Sequence, residues 1–274
     1  MIKHIGIIGA GQMGAGIALV AAHAEFQVSI YEPLEKAQEK AKAYFNKKLN
    51  PTHEDLTPNP SPETGEGKIK FYKQLEELKP CDLFIEAIPE QENLKKDLFK
   101  KLDSISKPEA ILASNTSSIS ITKLGAVTNN PERVIGMHFM NPVPAMKLVE
   151  LIRGLQTSDA TYTQVKSTAE KMGKVTTTSR DIPGFIANRI LMPMINEAFY
   201  ALYENLASPE DIDLTLKLGA NHPMGPLTLA DFIGLDTCVS ILEIMDKKPC
   251  PLLKQYVDAG WLGKKSGRGV FSYV

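Results

Sequence analysis

A histidine and a glutamate lie in two apolar segments that are separated by a proline-rich turn. His138 follows the run Val134–Met137 and ends that predicted strand, and Glu150 lies within Leu148–Ile152. Histidine is the side chain best suited to exchange protons near neutral pH. A carboxylate among aliphatic residues is costly unless it is paired, and the Asn141–Pro144 turn could bring it beside the imidazole. The two residues are therefore a candidate acid–base pair, although a satisfied structural glutamate explains Glu150 equally well on residue types alone.

The other four histidines have more ordinary positions, which favour structural or solvated roles. They open the first predicted strand, lie on the first helix, lie in a proline-rich loop and stand in a polar turn, as His4, His23, His53 and His222 respectively. His138 differs because it ends its strand at the side of the sheet where open α/β folds place their ligands. We predict no metal site.

A glycine-rich turn, Gly9-Ala10-Gly11-Gln12-Met13-Gly14, joins the apolar run Ile5–Ile8 to the alanine-rich stretch Ile17–Ala24. Between a strand and a helix, GxGxxG allows a tight turn, close approach of a pyrophosphate and close helix packing. Glu32 lies at the end of the next predicted strand, where a carboxylate can bond the ribose hydroxyls of NAD and repels the 2′-phosphate of NADP. We therefore predict NAD as the cofactor. An ordinary glycine-rich turn with a surface carboxylate is the alternative.

These residues require a sheet that brings several strand ends together. Apolar runs at Val28–Tyr31, Leu83–Ile88 and Ile111–Ser114 alternate with polar helical segments such as Leu94–Leu102. This alternation indicates a parallel sheet covered by helices on both faces. Leu148–Ile152 and Val175–Thr178 are predicted to extend it. The predicted fold class is α/β, a Rossmann-type doubly wound and mostly parallel sheet with a second, smaller all-α domain.

The strands stop near residue 182, which predicts an NAD-binding domain over 1–182 and a helical substrate and dimerisation domain over 183–274. Phe185–Leu206 and Asp211–Leu218 show helical spacing of apolar residues. The apolar stretch Phe185–Leu202 is too extensive for a domain of under about 100 residues to bury by itself. We therefore expect a homodimer that forms through this domain.

Composition limits the classes of partner. The 274 residues carry 31 basic and 32 acidic side chains, for a net charge of -1, so no overall positive field favours nucleic acid or an anionic membrane. Cys81, Cys238 and Cys250 form no CxxC pair, which is typical of a reducing compartment. The chain enters an apolar strand at once, and no apolar run approaches the roughly 20 residues of a membrane span. We expect a cytoplasmic protein without a signal peptide.

Five longer stretches resemble the L-3-hydroxyacyl-CoA dehydrogenases, and the resemblance covers nearly the whole chain. They are GAGQMGAG (9–16), ASNTSSIS (113–120), GMHFMNPVPAMKLV (136–149), PGFIANRI (183–190) and GANHPMGP (219–226). The resemblance implies an NAD-dependent enzyme that interconverts a short-chain L-3-hydroxyacyl-CoA and the 3-ketoacyl-CoA.

Roles for individual residues follow from the same resemblance. It implies that His138 is the general acid and base, that Glu150 orients its ring and stabilises the imidazolium, and that Ser117 bonds the 3-oxygen of the substrate. Asn188 would reach the substrate from the first helix of the second domain. The implied cofactor residues are Gly9, Ala10, Gly11, Gln12, Met13, Gly14, Glu32, Glu90, Lys95, Ser117, Asn141 and, more weakly, Lys265. From residue types alone, Ser117 could equally be a helix cap and Asn188 a helix-surface residue.

The chain departs from the family after the second strand. In the family the next helix continues into a helical hairpin that grips CoA, whereas here the helix Leu34–Leu49 is followed by Asn50–Gly67, which contains four prolines. Each proline removes an N–H donor and restricts its neighbour, so we predict a truncated hairpin and an irregular surface loop. Lys47 and Lys48 are then the remaining candidate contacts to the CoA phosphates, unless they are only a solvated helix tip.

Two other functions stay open. One is a 3-hydroxyacid dehydrogenase that acts on free acids, which would be expected to work without the His138 and Glu150 pair. The other is a relative that binds NAD without turnover. The retained pair and Ser117 argue against this second alternative.

Overall fold

The computed structural model describes residues 1–49 and 69–273. The described residues up to 182 contain an eight-stranded sheet. Its strands are β1 (His4–Ile8), β2 (Gln27–Tyr31), β3 (Ile69–Tyr72), β4 (Leu83–Glu86), β5 (Ile111–Ser114), β6 (Val134–Phe139), β7 (Leu148–Arg153) and β8 (Val175–Arg180). The helices along the same part of the chain are α1 (Gln12–His23), α2 (Glu35–Leu49), α3 (Glu92–Ile105), α4 (Ile121–Gly125) and α5 (Asp159–Lys171).

The strand order is β3-β2-β1-β4-β5-β6-β7-β8. Neighbouring strands run parallel except β6 and β7, which are antiparallel. The order reverses direction on either side of β1, and open α/β sheets bind ligands outside the carboxyl ends of the strands at such a point. The predicted doubly wound, mostly parallel sheet is confirmed.

The core forms because the central strands are apolar on both faces. Ile5, Ile7, Leu83 and Ile85 have no exposed surface, which parallel strands covered by helices require. The α1 helix is rich in glycine and alanine, so its backbone can approach the sheet closely. A Cβ atom on Gly14 would lie 1.9 Å from the carbonyl oxygen of Gly9. This close approach fixes the start of α1 against the end of β1.

Several predicted bounds need correction. The β6 strand continues through Phe139, so His138 lies inside the strand and does not end it. The β4 strand ends at Glu86 and not at Ile88, because a turn begins there in which the Ile88 N–H bonds the Glu86 carboxylate. The edge strand β3 and the helix α5 have no counterpart in the predicted order. The predicted loop Asn50–Gly67 and His53 lie outside the described residues.

The chain divides into two compact units, Met1–Ile182 and Pro183–Val274. The second unit contains α6 (Ala187–Tyr203), α7 (Pro209–Gly219), α8 (Pro226–Ile233), α9 (Leu235–Ile244) and α10 (Pro251–Asp258). These helices share a buried core that includes Phe199, Leu227 and Leu242. Asp231 is fully buried and accepts hydrogen bonds from the backbone N–H groups of Val270 and Phe271, which ties the last residues to α8. The predicted helical second domain is confirmed.

Within the two described ranges, no helix is both long and apolar enough to cross a bilayer. The same residues contain no cluster of three or more His, Cys, Asp or Glu side chains that could hold a metal ion.

Candidate functional site

The pairing of β6 with β7 brings His138 and Glu150 together. The two residues are direct cross-strand partners in the antiparallel register, so their side chains share one face of the sheet. Nδ1 of His138 lies 2.8 Å from Oε2 of Glu150, and Glu150 is almost completely buried. If Nδ1 carries the proton, it donates to the carboxylate, and Nε2 is the ring nitrogen that would exchange a proton with a substrate.

A side chain from the neighbouring strand holds the backbone beside His138. Asn115 directly follows β5, and its Oδ1 accepts a hydrogen bond of 2.9 Å from the backbone N–H of Phe139. The Asn115 N–H in turn donates to the carbonyl oxygen of Glu86. The ends of β4, β5 and β6 are therefore connected through Asn115 on one side of the candidate acid–base pair.

The glycine-rich turn has the geometry that a pyrophosphate site needs. Gly9 has a φ of +98°, a left-handed conformation that favours glycine. A Cβ added at this position would lie 2.9 Å from the Ala87 carbonyl oxygen. A Cβ on Gly11 would meet no heavy atom within 4 Å. The backbone is therefore open at Gly11, directly before the first turn of α1, whose N–H groups and dipole favour an anion. These residues fit the pyrophosphate of NAD.

Glu32 lies directly after β2, and backbone donors hold its carboxylate in place. Oε2 accepts a bond of 3.0 Å from the Ala10 N–H, and Oε1 accepts one of 3.1 Å from the Leu34 N–H. Each carboxylate oxygen can accept more than one hydrogen bond. The fixed carboxylate therefore keeps capacity for the two ribose hydroxyls of NAD beside the glycine-rich turn.

Glu90 organises the hydroxyl-rich segment that contains Ser117. Its Oε1 accepts hydrogen bonds from the backbone N–H of Ser117 at 3.0 Å, from the Ser118 hydroxyl at 2.8 Å and from the Thr116 hydroxyl. Burial by itself would raise the pKa of Glu90, but the Lys95 ammonium and these hydroxyls outweigh it and hold the pKa below its ordinary value. Glu90 is therefore a charged anchor for the segment.

Lys95 is buried behind Glu90. Its ammonium contacts the Glu86 carboxylate, the Ile88 carbonyl at 3.2 Å and Glu90 Oε2 at 3.2 Å. An ammonium has three protons, so these contacts satisfy all of its donors. A role in cofactor binding for Lys95 stays a prediction; what the structure shows is that Lys95 holds the Glu90 carboxylate.

Gln12 and Asn141 also lie together. The Gln12 side-chain amide donates to Asn141 Oδ1 at 2.9 Å, which connects the first turn of α1 to the turn after β6. Both residues were predicted to contact the cofactor. Their hydrogen bond brings the glycine-rich turn and the strand of His138 side by side at one edge of the sheet.

The remaining predicted residues lie elsewhere. Lys47 and Lys48 are exposed in the last turn of α2. Asn188 lies in the first turn of α6, in the second unit. Lys265 also belongs to that unit, where its ammonium pairs with Asp236 at 2.7 Å. Their roles towards substrate or cofactor stay predictions.

Two residues that contact this network were not predicted. Glu86 ends β4 with no exposed surface, and Ser114 ends β5 and donates to Glu86 Oε2 at 2.6 Å. Complete burial raises the pKa of Glu86, which Lys95 and the other donors oppose. A carboxylate at the end of the apolar run Leu83–Ile85 was the available signal. It is the same kind of signal that identified Glu150.

Comparison with known families covers the chain almost from end to end. The family model described as "3-hydroxyacyl-CoA dehydrogenase, NAD binding domain" matches residues 4–182. A second model, "3-hydroxyacyl-CoA dehydrogenase, C-terminal domain", matches residues 184–273.

Individual relatives and a solved structure agree with these matches. A Bacillus subtilis protein named probable 3-hydroxybutyryl-CoA dehydrogenase is 53% identical over 283 residues, covering 99% of this chain and 98% of its own. The 3-hydroxybutyryl-CoA dehydrogenase of Bradyrhizobium diazoefficiens is 50% identical, covering 100% of this chain and 96% of its own. A crystal structure of the (S)-3-hydroxybutyryl-CoA dehydrogenase from Ralstonia eutropha has a TM-score of 0.92 at 46% identity, and covers 100% of both chains.

Proposed function

Since the chain belongs to the 3-hydroxyacyl-CoA dehydrogenase family, we propose that it interconverts 3-hydroxybutyryl-CoA and acetoacetyl-CoA. The family itself makes the chain an NAD-dependent oxidoreductase. The substrate is inferred from the names of the relatives at 50% and 53% identity. The observation that carries the proposal is the paired imidazole and buried carboxylate of His138 and Glu150.

The proposed mechanism assigns the proton to His138. When bound, the nicotinamide supplies or accepts the hydride at the 3-carbon of the substrate. In reduction, the protonated His138 ring donates a proton to the 3-oxygen, and in oxidation the neutral ring accepts it. Glu150 keeps the ring oriented and stabilises its charged form. Ser117 donates a hydrogen bond to the 3-oxygen, and Glu90 holds the backbone of Ser117 in place.

An assay of NADH oxidation tests this proposal. We expect the purified chain to oxidise NADH with acetoacetyl-CoA and to turn over free 3-keto acids poorly. Preference for the free acids would identify a 3-hydroxyacid dehydrogenase, and NADH binding without turnover would identify a non-catalytic relative. Repeating the assay with longer acyl chains defines the chain-length preference.

The position of Glu32 predicts discrimination between the two nicotinamide cofactors. Its buried carboxylate would face the 2′-phosphate of NADPH with like charge, so kcat/KM should be at least about tenfold higher for NADH. The isosteric Glu32→Gln should narrow this ratio. Glu35→Gln is the matched control, because it removes the same charge from an exposed position three residues along. A preference for NADPH in the unmodified enzyme would reject this role.

The two lysines at the end of α2 are proposed to contact the phosphates of CoA. We expect Lys47→Ala combined with Lys48→Ala to raise KM for acetoacetyl-CoA several-fold and to leave kcat largely unchanged, because only uniform binding is lost. A truncated thioester without the nucleotide should show little change. The control is Lys36→Ala with Lys40→Ala, which removes the same charge from exposed positions earlier in the helix. Equal effects on both thioesters, or none on either, would reject the contact.

A homodimer is proposed to form through the second unit. Large apolar side chains are exposed there in the single chain, among them Ile190 at 67%, Leu206 at 76% and Leu218 at 77%. Covering such surface with a second copy removes apolar area from water. Light scattering at micromolar concentration should give twice the chain mass of 30.1 kDa. A monomeric mass would contradict the proposal.

A further inference from the structure

We propose that Glu86 is a positioning residue for the reaction, because together with Lys95 and Ser114 it fixes the segment Thr116–Ser118 that presents Ser117. This inference rests on the proposed function, in which Ser117 bonds the 3-oxygen of the substrate. Glu86 itself is fully buried at the end of β4 and acts through other residues.

Two routes lead from Glu86 to the segment. The first route consists of two ion pairs and a hydrogen bond. Glu86 Oε1 contacts the Lys95 ammonium, which also pairs with Glu90 Oε2 at 3.2 Å. Glu90 Oε1 then accepts a hydrogen bond from the Ser117 N–H. The second runs through a hydroxyl. Ser114 donates to Glu86 Oε2 at 2.6 Å and accepts a bond of 3.1 Å from the Thr116 N–H.

Together these routes satisfy consecutive backbone donors of the segment. The N–H groups of Thr116 and Ser117 bond Ser114 and Glu90, and those of Ser118 and Ile119 bond the Thr116 hydroxyl at 3.2 and 2.8 Å. The Thr116 hydroxyl is itself held by Glu90. Four successive amides therefore depend on one network, whose innermost member is Glu86.

Burial of the network explains why the charge of Glu86 should affect Ser117, with which Glu86 is linked only through other residues. Lys95 has 1% of its side chain exposed, so it cannot exchange its Glu86 contact for water. If Glu86 loses its charge, an ammonium without that counter-ion remains buried, and removing one partner of such a pair is costly. The remaining charged partner of Lys95 is Glu90, which must then shift, and Ser117 with it.

A double-mutant cycle tests this coupling in the full-length enzyme. Glu86→Gln should lower kcat for acetoacetyl-CoA reduction about tenfold in the unmodified enzyme, but less than about twofold in a Ser117→Ala background. A merely structural role would give the same fold loss in both backgrounds. The matched control is Asp103→Asn, which breaks the buried pair with Arg133 at the amino end of β6 and should leave kcat nearly unchanged.

Hydrogen exchange gives a readout that is independent of turnover. In Glu86→Gln the amides of residues 116–119 should exchange about tenfold faster, whereas Asp103→Asn should leave them protected. If Glu86→Gln fails to fold, Ser114→Ala replaces it, because this variant keeps the charges of Glu86 and Lys95 and removes only the Ser114 hydroxyl. Its loss of kcat should likewise be smaller in the Ser117→Ala background, and the Thr116 amide should exchange faster.

The outcomes separate the two proposals. Additive losses in kcat, or unchanged protection of residues 116–119, would overturn the role of Glu86 while the enzyme still reduces acetoacetyl-CoA. Absence of turnover in the unmodified chain would instead reject the proposed function.

Discussion

Replacing His138 with alanine should lower kcat by about 10²- to 10⁴-fold, the usual loss when a positioned acid or base is removed. In the proposed mechanism His138 transfers a proton to the substrate and does not bind the cofactor, so the affinity for NADH should change little. Stopped-flow or steady-state reduction of acetoacetyl-CoA gives kcat, and fluorescence titration gives NADH affinity. A fall in kcat without a fall in cofactor binding places the effect on the chemical step.

The control for this variant is His23→Ala. His23 lies at the end of α1 that is remote from the glycine-rich turn, so His23→Ala should leave kcat unchanged. If His138→Ala keeps more than about a tenth of the original kcat, well above the expected range, His138 is not the general acid and base.

Replacing Glu150 with glutamine should have the second largest effect, about 10- to 100-fold on kcat at neutral pH. The variant keeps the size of the side chain at the 2.8 Å contact with His138 but removes the charge that favours imidazolium. In reduction His138 donates its proton as the imidazolium, so loss of the charge that stabilises this form should lower kcat, which steady-state reduction of acetoacetyl-CoA measures.

The oxidative direction provides an internal check of that assignment. There the neutral imidazole accepts the proton and becomes charged, so Glu150→Gln should lower kcat for oxidation of 3-hydroxybutyryl-CoA as well. An unchanged kcat in both directions would show that Glu150 does not stabilise the imidazolium.

Strands buried on both faces were the part of the fold that sequence patterns predicted well. The run Ile111–Ser114 has the bounds of β5, because a parallel strand covered by helices is continuously apolar. The edge strand β3 gives a weaker signal, since each of its residues is at least partly exposed and it lacks a continuous apolar run. The confirmed family resemblance supplied what periodicity lacked, namely roles for Ser117 and Asn188, which stay predictions.

Hydrogen-bond networks were less predictable than strands. The network joins the end of β4, the loop after it, α3 and the end of β5, through Glu86, Glu90, Lys95 and Ser114 respectively. Its contacts arise only when β4, β5 and α3 have packed. Propensity and periodicity describe one segment at a time, so they cannot indicate which buried carboxylate faces which ammonium. A buried carboxylate at a strand end is the local signal to follow, because it must find donors in the fold.

The antiparallel register of β6 and β7 has a consequence for redesign of this protein. Because side chains alternate between faces, a shift of β7 by one residue against β6 would turn the Glu150 carboxylate to the opposite face from His138. Changes in length confined to the connection 140–147 carry no such penalty, provided the strands re-pair as before. Transfer of this proposed acid–base pair to another sheet would therefore depend on the register of the two strands more than on the sequence of the loop between them.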